Sequence, residues 1–372
     1  MGEYDRLLSH NSSDHKAGKG CFLFNIKTHA MTQKNRVPIA LLHAHNYMRR
    51  YLLSVLIVCI SGCSVFSVSQ GPELKLHEVH PFGATRIAFS PDGTLLASGG
   101  LQGEVQIWSV PGGERLALLE DHMRRIEGLL WIDEEHVLSA DKHGKILVWD
   151  IGSQTVTAAL QTEPLTSVAW LSTPGTLIVG YAAGQLRSFS YPGFQQIAQT
   201  GTDSKVLSVA TGSANRQVAV STANRHVQLF DSYLQPVKTL QQPPGKTFGL
   251  RFSPDRQQLA GGGWFDIFLW STTTGQLQVR DTGHRGLVIA VDYSPDGSQM
   301  VSIGRVTDAN VLVTDTASGS LNRRLTTQPL CGWSARFSPD GRYIASSSED
   351  GSLQLYDMSI PYQPTWYHEA SP

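Results

Sequence analysis

The chain is 372 residues long, with 30 Lys and Arg against 31 Asp and Glu and four cysteines. It has no basic run or stripe of the kind that neutralises phosphates, which excludes nucleic acid as an expected partner. From residue 63 onward, 22 Lys and Arg stand against 28 Asp and Glu, a mildly acidic balance ordinary for a soluble domain.

Residues 1–47 show no hydrophobic period and scattered His, Lys and Asn. They read as a stretch upstream of the true translation start at Met48, or as a disordered tail. His43 and His45 have no further ligands beside them and read as solvated, not metal-binding. Residues 48–62 start with Arg49 and Arg50, run through an apolar stretch and end in small residues, the three regions of a secretory signal peptide. Ile60, Ser61 and Gly62 before Cys63 resemble the bacterial lipobox. That resemblance implies a lipid on Cys63, and Ser64 after it implies sorting to the outer membrane, facing the periplasm. The alternative is a transmembrane helix from Tyr51 to Val68. Either way the two arginines hold the start in the cytoplasm and send the rest out. Cys21 and Cys59 would leave with processing. Cys331 would remain without an intramolecular partner, as a small buried apolar residue. Residues 63–71 read as a linker.

Beyond the linker, seven strand-like endings recur: Val105–Trp108, Ile146–Trp149, Leu186–Phe189, Val227–Phe230, Ile267–Trp270, Val311–Thr314 and Leu353–Tyr356. Their last residues are 41, 40, 41, 40, 44 and 42 positions apart. A period near 40 means repeated supersecondary units that bury their faces on one another. Upstream of four endings stands a turn: Ser90-Pro91-Asp92-Gly93, Ser294-Pro295-Asp296-Gly297, Ser338-Pro339-Asp340-Gly341 and the variant Ser253-Pro254-Asp255-Arg256. Pro sets φ, Asp bonds the following backbone and Gly relieves positive φ, so each turn joins two antiparallel strands. Each unit then reads as four short strands, the last being polar, as in Glu114–Leu119. That is one blade of an all-β propeller, spanning 72–358. Glu73–Val79 alternates polar and apolar residues ahead of the first full repeat. It is expected to pair as the outer strand of the last blade, because an open ring exposes sheet edges. Residues 359–372 are Pro-broken and aromatic, expected as a strap along the propeller or as a partner-binding peptide.

Asp121-His122, Ser139 and Trp149-Asp150, the opening Gly283-His284, and the run 347–351 resemble the WD40 repeat family. The resemblance covers most of the chain and implies a seven-bladed propeller. It also implies a buried His–Asp–Ser–Trp network in each blade, which no blade is expected to keep whole. The second has His143 where the Asp is expected. The seventh has Asp350 and Ser346, with Gln328 and Tyr356 in place of His and Trp. The sixth ends in Thr314 and has a longer hairpin at 303–310. These read as divergent blades held by packing, with few polar braces.

No phosphate loop, nucleophile elbow or zinc helix occurs. Asp133–His136 falls where other repeats have Ser-Pro-Asp-Gly and reads as a solvated turn. No catalytic residue, metal or cofactor is therefore expected. The family's partners commonly dock on loops leading into the innermost strands and on the inner hairpin turns. By position these carry Met123, Arg124, Arg125, Lys142, His143, Lys246, Trp264, Phe265, Arg285, Arg305 and Trp333. Arg and aromatic side chains are the usual interface anchors. Trp264 and Phe265 could equally pack between blades. The expected function is a non-catalytic, lipid-tethered scaffold in the bacterial envelope that binds an envelope protein or peptide. The alternatives are an envelope enzyme or a ligand-binding sensor using the central channel.

Overall fold

The computed structural model describes residues 71–362, except residue 78, residues 213–215 and residues 326–329. Within them lie seven four-stranded sheets, all antiparallel in their pairing. The first is β2 (Ala84–Phe89), β3 (Leu95–Gly100), β4 (Val105–Ser109) and β5 (Arg115–Leu119), in that order. The next five follow the same order, beginning with innermost strands β6 (Ile126–Trp131), β10 (Leu165–Leu171), β14 (Val206–Gly212), β18 (Phe248–Phe252) and β22 (Leu287–Tyr293). The seventh comprises β26 (Gly332–Phe337), β27 (Tyr343–Ser348) and β28 (Leu353–Asp357), with β1 (Leu74–Leu76) as its outer strand. Each innermost strand packs on the next, and β26 packs on β2, so the ring closes. The fold is a seven-bladed β-propeller, numbered here blades 1 to 7, closed by its N-terminal strand as the alternating pattern predicts.

The turns follow from their residue types. Ser90 Oγ donates to Asp92 Oδ1 at 2.6 Å and accepts the Leu95 N–H at 2.9 Å, while Asp92 Oδ1 also takes the Thr94 N–H at 3.0 Å. Gly93 completes the turn at φ 75°, a region that costs most residues strain. Arg256 holds the equivalent place in blade 5 at φ 61°. Asp133 likewise caps its turn, accepting the Glu135 and His136 N–H groups at 2.9 and 2.8 Å, so the acidic cluster is structural and solvated.

The core lies between blades. Val105, Ile107 and Leu119 of blade 1 pack on Ile126, Trp131 and Trp149 of blade 2. Blade 7 meets blade 1 the same way, with Leu353 and Leu355 against Ile87 and Trp108, and Leu74 and Leu76 of β1 against this cluster. Cys331, immediately before β26, is 7% exposed, as expected of an apolar residue.

Every innermost strand slips register near its start, for example between Ile126 and Gly128 and between Gly332 and Ser334. A bulge re-aims one side chain and frees backbone groups. Glu127 and Trp333, the extra residues in blades 2 and 7, thereby line the central channel. Further along these strands, backbone amides find partners across the blade boundary. Val209 N–H donates to Ser167 Oγ at 3.1 Å, Leu250 N–H to Ser208 Oγ at 3.0 Å, and Phe337 N–H to Asp292 Oδ2 at 3.0 Å.

Three paired residues close the ring, Leu74 with Leu355, Lys75 with Gln354 and Leu76 with Leu353. The double substitution Leu74→Ala/Leu76→Ala is expected to destabilise the propeller by about 2–4 kcal/mol through lost burial. Deleting residues 71–80 should cost more, because it also exposes the edge of β28. An unchanged melting temperature for the deletion would remove β1 as a stabilising element.

Candidate interaction face and channel

Three blades carry a polar network that the aligned sequence conceals. In blade 2, His122 Nε2 lies 2.7 Å from Ser139 Oγ, which also accepts Trp149 Nε1–H at 2.8 Å. Its Nδ1 lies 3.2 Å from Asp141 Oδ2, and Asp141 Oδ1 takes the N–H groups of His143 and Lys145. This blade is complete, and the Asp is Asp141, not position 143. Asp141 closes β7 (His136–Asp141), and from the base of the turn its carboxylate reaches both the turn amides and the imidazole. His143 itself is exposed. Blade 1 has the same set with a longer acid: His80 bonds Ser98 and Glu104, both at 2.8 Å, and Trp108 donates to Ser98 at 2.9 Å. In blade 6 the long hairpin supplies Asp308, 2.8 Å from His284 Nδ1, with Ser302 at 2.9 Å from Nε2 and Thr314 in the Trp place. The expectation of few polar braces is thus corrected for these blades. In blade 7, Asp350 caps Ser352 and Tyr356 is fully buried, while position 328 lies outside the described residues.

Burial pushes the Asp308 carboxyl upward, but the His284 hydrogen bond and charge outweigh it and hold the group down at about 2. Asp141 is lowered by the same balance, with His122 as its main partner. These networks pin the loops that lead into β2, β6 and β22, and so fix the face that those loops form.

On that face the sequence-predicted residues separate into groups. Met123 is 81% exposed, with Arg124, Lys142 and His143 beside it on the loops and turn of blade 2. Arg124 donates only to the Met123 carbonyl, at 3.1 Å. Trp264 and Phe265 are 38% and 51% exposed, with ring centroids 5.8 Å apart and ring planes tilted by 55°. Their turn leans onto blade 6, where Phe265 N–H donates to Gly286 O at 2.9 Å, next to exposed Arg285. They are therefore surface residues at the blade 5–6 boundary, not core. Lys246 is half-buried in the loop before β18. Trp333 is not a loop residue as expected: it lies in β26, 8% exposed, because the bulge turns it toward the channel. The Arg305 guanidinium covers its ring at 3.4 Å and Arg125 approaches at 5.5 Å.

Among the described residues, six of the eight exposed large apolar side chains outside the outer strands gather on this same face: Phe82, Met123, Trp264, Phe265, Val306 and Leu330. They stand on blades 1, 2, 5, 6 and 7, and the corresponding loops of blades 3 and 4 contribute none among the described residues. The other two, Tyr233 in the turn between β16 (Val227–Phe230) and β17 (Pro236–Thr239) and Ile360 just past β28, lie on the opposite side.

The channel holds about 750 Å³ and is lined by Arg86, Arg125, Lys205, Arg251 and Arg336 against Glu127 and Asp292. Sequence reasoning missed most of this set. Its signal was a shared register: Arg251, Asp292 and Arg336 each stand two places before the turn serine, charged residues inside otherwise apolar strands. Among the described residues no group of three or more His, Cys, Asp or Glu could hold a metal ion.

The family described as WD domain, G-beta repeat matches residues 71–109 and 326–357, which are the two blades joined at the ring closure. The chain is similar to Periodic tryptophan protein 2 of Arabidopsis thaliana, 24% identical over 75% of this chain and 29% of the relative. It is similar to small ribosomal subunit protein RACK1z of rice, Oryza sativa subsp. japonica, 32% identical over 32% of this chain and 37% of the relative. The chain thus spans well under half the length of these relatives. A chain of a crystal structure titled Mitotic Checkpoint Complex shares the fold, with a TM-score of 0.68 and 20% identity over 80% of this chain and 97% of that one. Further relatives come from Dictyostelium discoideum, Caenorhabditis elegans and Drosophila melanogaster.

These relatives are eukaryotic, which overturns the bacterial lipoprotein expected from residues 48–63. With it fall the membrane tether, the outer-membrane and periplasmic location and the envelope partner. The physical reason is the low information in the motif, since two arginines, an apolar run and a cysteine arise easily, whereas a seven-fold repeat does not. Ile60, Ser61, Gly62 and Cys63 lie outside the described residues. Among the described residues no helix is long and apolar enough to cross a membrane. Neither of the two relatives named above bears the name of an enzyme.

The Asp308–His284 pair sets an acid limit. The folded carboxyl sits at about 2 against an ordinary 3.8, so its stabilisation is present above the ordinary value and is lost as pH falls from there toward 2. Asp308→Asn is expected to lower stability by about 2 kcal/mol at neutral pH. It should also flatten the fall in urea midpoint between about pH 4 and pH 2 relative to the parent chain.

Proposed function

We propose that this chain is a non-catalytic interaction scaffold whose protein partner docks on the face over blades 5, 6, 7, 1 and 2. The observation that carries this reading is the gathering of six of these eight exposed apolar residues, Phe82, Met123, Trp264, Phe265, Val306 and Leu330, on one side of the ring. Scattered apolar residues are ordinary, but their gathering on one face beside cations marks a contact surface. Arg124, Arg125, Arg285 and Arg305 lie among them, and Arg and aromatic side chains supply most interface energy. The polar networks of blades 1, 2 and 6 hold the same loops in place, which limits the entropy lost on docking. The rice relative is named as a protein of the small ribosomal subunit, which supports a role within an assembly. The Arg residues favour an acidic segment on the partner, and the aromatic pair favours an apolar anchor.

Two variants test the face. Phe265→Asp/Met123→Asp addresses its apolar part and Arg124→Glu/Arg125→Glu/Arg285→Glu its charged part. Each is expected to weaken partner capture from a native extract by about tenfold or more while leaving the melting temperature within a few degrees. Retention of every crosslinked partner in both variants would exclude this face as the docking surface.

A further inference from the structure

The arrangement of charge inside the channel points to a second kind of ligand. Two carboxylates face the channel, and both are already committed. Glu127 binds Arg86 at 3.2 Å and also pairs with Arg125, while Asp292 accepts Arg251 Nε–H at 2.9 Å and the Phe337 amide at 3.0 Å. Arg336 is left over. Its guanidinium donates to one acceptor only, the Ala335 carbonyl at 2.9 Å, although it carries five N–H donors. It stands within electrostatic range of Arg251 and Arg86, which oppose its charge, and of Asp292, which offsets them in part although Arg251 already holds that carboxylate. A cation among other cations that one shared carboxylate offsets only in part is costly to hold, and a further anion lowers that cost.

We propose that the channel binds a small multivalent oxyanion, held by the fork of Arg336 with Arg86 and Arg251 around it. The guanidinium fork matches the paired oxygens of a phosphate or carboxylate. A channel of about 750 Å³ has room for a compact molecule with several such groups, and its lining carries five cations against two carboxylates. Burial first, then the Arg251 charge, holds Arg336 down at about 9, so a bound anion would restore its ordinary basicity. Lys205, exposed at the channel lining, adds positive potential on the path in. This site is separate from the partner face, because Arg336, Arg86 and Arg251 lie on the innermost strands and not on the loops.

The test is calorimetric titration of the full chain with inorganic tripolyphosphate, pyrophosphate and citrate at low ionic strength, alongside melting curves with each probe. Saturable binding of at least one probe is expected, with a raised melting temperature, and Arg336→Met should weaken it by about tenfold or more. Tighter binding of the polyphosphates assigns a phosphorylated ligand, and tighter binding of citrate a polycarboxylate. Either outcome supports the site. Should Arg336→Met not fold, Arg336→Lys keeps the charge, removes the fork and is expected to weaken binding in the same direction. Arg124→Glu/Arg285→Glu, which alters the partner face alone, should leave probe binding unchanged. The proposal is overturned if none of the three probes binds, or if binding to the Arg336 variants stays within about twofold of the parent chain.

Discussion

Closure of the ring by three residues is the constraint on which everything else in this protein depends. A blade in isolation has two exposed faces and two unpaired edges, and only its neighbours bury the faces. Blade 7 lacks an outer strand of its own in chain order, and Leu74–Leu76 supplies it from the other end of the described propeller. That exchange couples blade 1 to blade 7 through the cluster around Trp108, Tyr343 and Leu355. The two blades that share it are also the two that match the repeat family in sequence.

Inside the closed ring, polarity is arranged by the bulges and by the loop networks. A bulge at the start of each innermost strand turns Glu127 and Trp333 inward and places charged residues in register around the channel. The imidazole networks hold the loops outside it. The molecule therefore presents two chemically distinct surfaces on one scaffold: an apolar and basic face on the rim, and a cationic interior. The first is the face proposed for a protein and the second the site proposed for a small anion, a channel of about 750 Å³ being too small for a folded domain.

Much of the fold was legible in the sequence because its period is long and its turn chemistry explicit. Ser-Pro-Asp-Gly specifies a hairpin by named hydrogen bonds, and those bonds are present. The polar networks were less legible, since alignment by position put His143 in the acid's place. The imidazole instead takes whichever carboxylate the turn brings near, which is Asp141, Glu104 or Asp308 in different blades. The channel charges were hidden for a related reason: strand alternation shows that Arg336 leaves the core, but not that six other strands curve round to face it. The export signal was a short pattern with no repeat to support it, and the relatives of the propeller overrule it. Surface residues such as Phe82 and Leu330 carry no motif at all and became visible only as members of one face.

The brevity of β1 has a mechanical consequence. Its backbone pairs with β28 over three residues, reinforced by the Glu73 amide on Leu355 at 2.8 Å, whereas every other blade is stitched within a continuous run of chain. Tension on the chain ahead of β1 would load these few bonds before any other, peeling the outer strand away while blades 1 to 6 stay intact. Such a ring opens at one defined seam, like a clasp, and the seam lies at the outer edge of blade 7, with β28 and β27 between it and the innermost strand that carries Trp333 and Arg336.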